Sequence, residues 1–133
     1  MATMNPYFNF QGKCKEAMNF YKEIFGGELE VQIAGDSPAK DQMPAQFHNQ
    51  VLHSHLKGGV AEIMGTDMSP TTPVEGNTVY LALICKDEAE VRSFYEKLSA
   101  NGKIEQPLIK EFFGWFASLK DQFGTHWMLQ GLA

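Results

Sequence analysis

The feature that most constrains the fold of this chain is an internal repeat. The dipeptide Phe20-Tyr21 recurs as Phe94-Tyr95, 74 positions later, and each lies late in a segment whose apolar residues have helical spacing. Each half of the chain predicts the element order β-α-β-β-β. Because neither half could bury both its helix and its sheet alone, we expect the two halves to share one core. The predicted fold class is therefore α+β, built from two βαβββ modules.

A stretch rich in proline, serine and threonine separates the two modules. Pro70 and Pro73 both lie in residues 67–76, which is the best candidate for a linker. We therefore predict a single domain with a first module at 1–66 and a second at 77–133.

Composition excludes several classes of protein. The chain has 133 residues and a net charge of −5, and a surface of that sign repels nucleic acid and anionic lipid. Two cysteines do not make a disulfide scaffold. The N-terminal residues do not form a signal peptide, and no apolar run approaches the ~20 residues that span a bilayer. We expect a soluble, cytoplasmic protein with neither nucleic acid nor membrane as partner.

A predicted hairpin around Gly58-Gly59 carries the most suggestive polar residues. If these glycines form a two-residue turn, His55 pairs with Glu62 and His53 pairs with Met64. Since side chains alternate along a strand, all four then share one face, which could line a cavity.

This face has two interpretations. Two imidazoles and a carboxylate at His53, His55 and Glu62 are a ligand set that suits a divalent metal ion. The alternative is a half-exposed strand pair with a cross-strand contact between histidine and glutamate, worth about 0.2–1 kcal/mol.

Three further features also have two interpretations each. His126 alternates with the apolar Trp127, so it either faces the same cavity or lies at an exposed strand end. Cys14, near a helix start and between lysines, either has a lowered pKa or is an inert apolar residue. The aromatic run 112–116 either forms a hairpin core or walls a pocket.

Five segments carry a resemblance to a known family, and they cover the chain nearly end to end. They are Tyr7-Phe8-Asn9-Phe10-x-Gly12, Glu16-Ala17-x-x-Phe20-Tyr21, Gly26-Gly27, His53 with Met64-Gly65-Thr66-Asp67, and Asp121-x-Phe123-Gly124-x-x-Trp127. In this order they resemble the PhnB-like branch of the vicinal oxygen chelate superfamily, which has the glyoxalase and bleomycin-resistance fold.

The resemblance implies two βαβββ modules that form one cupped mixed sheet, with the helices outside and a cavity inside, in a homodimer. In metal-dependent relatives each module supplies ligands from its first and fourth strands. Those positions fall near Asn5 or Pro6, on Glu62, and near Tyr80 and Met128. Only Glu62 is a good ligand, so the usual four-ligand metal site is not expected.

We therefore expect a homodimeric protein that binds a small molecule in the cup without the usual metal site and without another cofactor. No catalytic residue is predicted. The predicted ligand-binding residues are His53, His55, Glu62, Met64, Tyr80, Trp115, His126 and Met128.

Two alternatives remain open. A metal-dependent lyase, isomerase or dioxygenase would use a relocated site at His53, His55 and Glu62 to polarise a substrate with two neighbouring oxygens. A ligand-free interaction module would instead fill the cavity with aromatic side chains from the 112–116 run. Relatives of this kind are also described as demethylubiquinone methyltransferases, but the chain has no glycine-rich nucleotide loop for S-adenosylmethionine, so we do not expect that activity.

Overall fold

The computed structural model of the chain describes residues 1–132. The chain divides into two compact units, Met1–Val74 and Glu75–Ala133. Each unit contains one α-helix and one four-stranded mixed sheet.

The first unit follows the predicted β-α-β-β-β order. Its elements are β1 (Tyr7–Asn9), α1 (Cys14–Phe25), β2 (Glu28–Ile33), β3 (Val51–Lys57) and β4 (Ile63–Thr66). The strands lie in the order β1-β4-β3-β2, with β1 parallel to β4 and the other pairs antiparallel. Between β2 and β3 the chain forms three short 3-10 turns, at Ala34–Asp36, Lys40–Gln42 and Ala45–Phe47.

The second unit repeats this topology. Its elements are β5 (Leu81–Cys85), α2 (Glu88–Ser99), β6 (Lys103–Glu111), β7 (Gly114–Lys120) and β8 (His126–Gly131). The strand order β5-β8-β7-β6, with β5 parallel to β8, matches that of the first sheet. The predicted α+β class and the two βαβββ modules are confirmed, while the joining of both sheets into one cup stays a prediction.

Both helices bury the face that their sequence period predicts. In α1 the buried positions recur every three or four residues, as expected for a helix packed on a sheet; they are Cys14, Ala17, Met18, Tyr21 and Phe25. In α2 the buried positions are Val91 and Leu98. The Asp87 side chain caps the start of α2, because it accepts a hydrogen bond from Glu90 N at 3.0 Å.

The start of α1 is held by a residue that is distant in sequence. Asp67 follows β4, and its Oδ1 accepts hydrogen bonds from Gly12 N and Cys14 N, both at 2.8 Å. Its Oδ2 accepts a third from Val51 N at 2.9 Å. One carboxylate therefore joins the first turn of α1 to the first residue of β3.

The register of the β3–β4 hairpin differs from the prediction. His55 pairs with Met64, and β4 begins only at Ile63, so the connection is longer than a two-residue turn at Gly58-Gly59. The cause is a tertiary contact, because Val60 N in this connection donates to the carbonyl of Phe25 at the end of α1, at 3.1 Å. The register moves by two residues, and an even shift keeps every side chain on its predicted face.

Candidate functional site

Three nitrogen-bearing side chains form a row across the second sheet. Lys103 on β6 pairs with Lys120 on β7, and Lys120 pairs with His126 on β8. Directly opposed residues in a sheet point to the same side, so these three side chains share one face. Adjacent strands are about 4.8 Å apart, so the row extends about 10 Å from Lys103 to His126.

A carboxylate joins this row to a phenol. Tyr80 Oη donates a hydrogen bond to Glu105 Oε2 at 3.0 Å, and Glu105 Oε1 lies 3.2 Å from His126 Nδ1. The rings of Tyr80 and His126 also pack together, with centroids 4.9 Å apart. The hydrogen bond to Glu105 raises the pKa of Tyr80 above its ordinary value. Only 9% of the His126 side chain is exposed, so its orientation is well fixed by these two neighbours.

An open pocket of about 370 Å³ lies over this row. We call it the His126 pocket, and it is lined by Glu75, Gly76, Asn77, Lys103, Glu105, Lys120 and His126. Lys120 Nζ lies 2.7 Å from Glu75 Oε1, and its hydrogen bond to that carboxylate raises the pKa of Lys120. The lining therefore combines cationic, anionic and titratable groups within one concave surface.

Glu105 was not found by reasoning from the sequence. The β6–β7 pairing shifts between Ile104 and Gln106, which leaves Glu105 as the extra residue of a β-bulge. Bulges re-aim side chains, which brings this carboxylate to Tyr80 and His126. Pro107 is the residue that could have indicated this bulge from the sequence, because a proline inside a strand is typical of a bulge.

The predicted polar residues of the first unit also lie together. His55 Nε2 is 2.9 Å from Glu62 Oε2, which also accepts a hydrogen bond from Asn5 Nδ2 at 3.1 Å. The rings of His53 and His55 have centroids 6.5 Å apart. Met64 pairs with His55, so it lies on the same face. The predicted contact between His55 and Glu62 is thus present, although these residues are not register partners.

The donor groups do not fit the divalent ion that the superfamily resemblance implies. Within residues 1–132, no group of three or more His, Cys, Asp or Glu side chains is arranged to hold a metal ion. At the positions carried over from metal-dependent relatives, Glu62 Oε2 is already shared by Asn5 and His55, and the Tyr80 hydroxyl donates to Glu105. Met128 offers only a soft thioether, which is a poor ligand for a hard divalent ion.

Trp115 does not share a face of the second sheet with His126 and Met128, the other predicted binding residues on its strands. The guanidinium carbon of Arg92, on α2, is 5.8 Å from the Trp115 ring centroid. This places Trp115 on the helix-covered face of the second sheet, whereas His126 lies on the opposite face. Lys120 pairs with His126, so these two side chains share a face. Trp115 is on the same strand as Lys120 and an odd number of residues away, so alternation puts it on the opposite face. Met128, two residues after His126, does share its face.

Part of the aromatic run at residues 112–116 lies at an exposed hairpin tip. Phe112 and Phe113 connect β6 to β7, and they are 97% and 40% exposed. Neither residue lines the His126 pocket, so this pocket is not filled by aromatic side chains from the hairpin tip.

The two cysteines are buried and free. Burial raises the pKa of Cys14 to about 11, against an ordinary value of 9.0. The hypothesis of a thiol activated by the helix start and its lysine neighbours is therefore wrong, because loss of hydration outweighs them. Cys14 Sγ instead lies 3.3 Å from Ser54 Oγ in the interior of the first unit.

A family model described as 3-demethylubiquinone-9 3-methyltransferase matches residues 2–130. The chain belongs to this family. Its PhnB-like character is seen in a solved structure described as a putative 3-demethylubiquinone-9 3-methyltransferase, PhnB protein, from Bacillus cereus. That structure is 27% identical, with a TM-score of 0.77, over 98% of this chain and 99% of its own.

Two other relatives support membership of the PhnB-like family. Protein PA1353 from Pseudomonas aeruginosa is 30% identical, with a TM-score of 0.85, over 99% of this chain and 98% of its own. Protein YjdN from Escherichia coli (strain K12) is 29% identical over 95% of this chain and 92% of its own length.

The wider superfamily shares the fold. A glyoxalase-related enzyme from Fulvimarina pelagi has a TM-score of 0.63 at 16% identity, over 98% of this chain and 88% of its own. This likeness concerns the fold alone. Among the helices that the structure describes, none is long and apolar enough to cross a membrane.

Proposed function

We propose that this PhnB-like protein binds a small organic molecule in the His126 pocket and needs no metal ion to do so. The proposal rests on the contacts that link Glu105 and His126, which line the pocket, to each other and to the neighbouring Tyr80. Binding sites are typically concave and contain a few polar groups held in fixed positions. Here Glu105 fixes both the phenol and the imidazole, so their orientation is set before a ligand arrives.

The donor chemistry supports the absence of a metal requirement. Glu105 is engaged by Tyr80 and His126, and Glu75 is paired with Lys120. A divalent ion in this pocket would compete with a lysine for its carboxylates. Recognition by hydrogen bonds and charge is the simpler use of such a lining.

The experiment follows amide signals of Gly76 and Asn77 by NMR while a small-molecule library is screened. S-adenosylmethionine belongs in the library because the family description names a methyltransferase. We expect ligands that perturb these signals. Glu105→Gln should weaken their binding about tenfold, because Tyr80 and His126 lose the charged acceptor that holds them in position. Glu111→Gln is the matched control, since Glu111 lies on the same strand and outside the pocket.

Metal analysis tests the second half of the proposal. The purified protein should contain less than one equivalent of metal, and chelator treatment should leave ligand binding unchanged. Stoichiometric, tightly held metal would overturn the metal-free mode, and ligands that perturb only signals outside the pocket would overturn the site.

The polar face of the first unit is a second proposed contact surface for a ligand, formed by His53, His55, Glu62 and Met64. Its support is the ordered contact of His55 with Glu62. His55→Gln should weaken binding if this face is used, and an unchanged affinity would remove it from the proposal.

We further propose that the chain forms a homodimer in the cytoplasm, with neither nucleic acid nor membrane as partner. The support is the superfamily resemblance and the net charge of −5. A monomeric mass in size-exclusion chromatography with light scattering would contradict the dimer.

A further inference from the structure

The charges that line the His126 pocket nearly cancel. Lys120 is paired with Glu75 at 2.7 Å, and Glu105 is shared by Tyr80 and His126. The two lysines of the lining balance its two glutamates. The pocket is therefore neutral when His126 is neutral, and it carries one positive charge when His126 is protonated.

Lys103 is the cation in the lining that is available to a ligand. Its ammonium group has no hydrogen-bond or ion-pair partner within residues 1–132, whereas Lys120 is held by Glu75. Lys103 also stands at the far end of the row from His126. An anion above the row can therefore contact Lys103 from one side and His126 from the other.

The hydrogen bond to Glu105 determines what His126 can offer. A carboxylate accepts hydrogen bonds, so Nδ1 carries a proton in either charge state. Nε2 is then a lone-pair acceptor in the neutral ring and a donor in the imidazolium. In the described part of the chain, no buried side-chain nitrogen or oxygen lacks a hydrogen-bond partner. The unpartnered Nε2 is therefore accessible to solvent or to a ligand.

We propose that the ligand of the His126 pocket is a small monoanion, whose oxyanion group is held between the Lys103 ammonium and the protonated His126, and that binding takes up a proton. The inference rests on the proposed binding function and names its ligand class. The groups that face His126 are Tyr80, Glu105 and Lys120, and Glu75 completes the charged lining. A monoanion neutralises the protonated pocket, whereas a dianion would bring excess charge near two carboxylates.

Carboxylates and phosphonates share this oxyanion chemistry, and the charge balance favours the carboxylate. The test titrates lactate, its neutral amide lactamide, and methylphosphonate into the protein, with pocket amide signals followed by NMR. Measurements at about pH 6 and about pH 8 test for proton uptake, because a binding reaction that takes up a proton is stronger at the lower pH. Lactate should bind at least about tenfold more tightly than lactamide, because the charged hydrogen bonds are lost in the amide. Its affinity should also be higher at the lower pH.

Two variants locate the anion contact. Lys103→Gln should weaken lactate binding about tenfold, while Lys110→Gln should leave it unchanged. Lys110 is a matched control on the same strand, with its ammonium 5.9 Å from the Trp115 ring on the other face. Calorimetry in two buffers of different ionisation enthalpy measures the proton taken up directly.

The outcomes separate this inference from the proposed function. If lactamide binds as tightly as lactate, or if binding is independent of pH, the anion class is overturned while the pocket remains a binding site. If methylphosphonate binds best at the higher pH, the monoanion argument is overturned in favour of a dianion. If no probe perturbs the pocket signals at millimolar concentration, the proposed binding function is rejected for these probes, and the anion class is rejected with it.

Discussion

The carboxylate of Asp67 gives the sharpest test of how the first unit is held together. It accepts backbone hydrogen bonds from Gly12 and Cys14 at 2.8 Å each and from Val51 at 2.9 Å. Asp67→Ala would remove the acceptor from all three amide groups. It would also remove the negative charge from the N-terminus of α1, where it interacts favourably with the helix dipole.

The size of the effect follows from these contacts. A hydrogen bond to a charged acceptor contributes about 1.5–3 kcal/mol when it is buried. The Gly12 bond is exposed and the other two are part-buried, so we take about 1 kcal/mol for each. Asp67→Ala should therefore lower the free energy of unfolding by about 3 kcal/mol. For a chain of 133 residues, an unfolding entropy of about 2.1 cal/mol/K per residue converts this into a fall of about 10 °C in Tm.

Thermal and urea unfolding, followed by circular dichroism, measure this loss. Asp67→Asn keeps one acceptor oxygen and should lose about half as much. Asp41→Ala is the control, since the exposed Asp41 makes no side-chain hydrogen bond or ion pair within residues 1–132, and it should change stability by less than about 0.5 kcal/mol. If Asp67→Ala is no more destabilising than Asp41→Ala, the assignment of Asp67 as a structural clamp is refuted.

Two further results concern the buried thiols and Tyr80. Burial raises the pKa of Cys14 and Cys85 to about 11. Both thiols should therefore resist a disulfide-exchange reagent in the native protein at neutral pH and react once the protein unfolds. Rapid labelling of the native protein would contradict this prediction. These pKa values lie above the ordinary 9.0, so the stability that the two buried thiols contribute is complete below about pH 9 and is lost as the pH rises through about 11. Urea unfolding at increasing pH would detect this loss. Because the hydrogen bond to Glu105 raises the pKa of Tyr80, Glu105→Gln should shift the titration of this phenol to lower pH in difference absorbance spectra, whereas Glu111→Gln should not.

The motifs that carry the family resemblance explain why fold was easier to predict than function. Asp67 clamps α1 and β3, and Asp121 has the same kind of role in the second unit. Asp121 Oδ2 accepts from Trp127 Nε1 at 2.9 Å, while its Oδ1 accepts from the amides of Phe123 and Thr125. These residues hold turns and helix starts in place, so their pattern indicates the scaffold and leaves the ligand undetermined.

Hydrophobic periodicity predicted the helices and the faces of the strands. His53, His55 and Met64 share a face in the structure, as alternation along the strands requires. The hairpin register was wrong because the Gly58-Gly59 segment is followed by a contact with Phe25, on α1. A turn length predicted from two glycines takes no account of a contact with a residue more than thirty positions earlier in the chain.

The sequence by itself determined the duplicated βαβββ order, since a helical or strand period is written in the spacing of neighbouring residues. Only the tertiary structure decided the composition of the His126 pocket. A bulge brings Glu105 to His126, and strand alternation puts Trp115 on the other face. Such a site forms from residues on separate strands, and its geometry depends on the register between those strands, which no local pattern encodes.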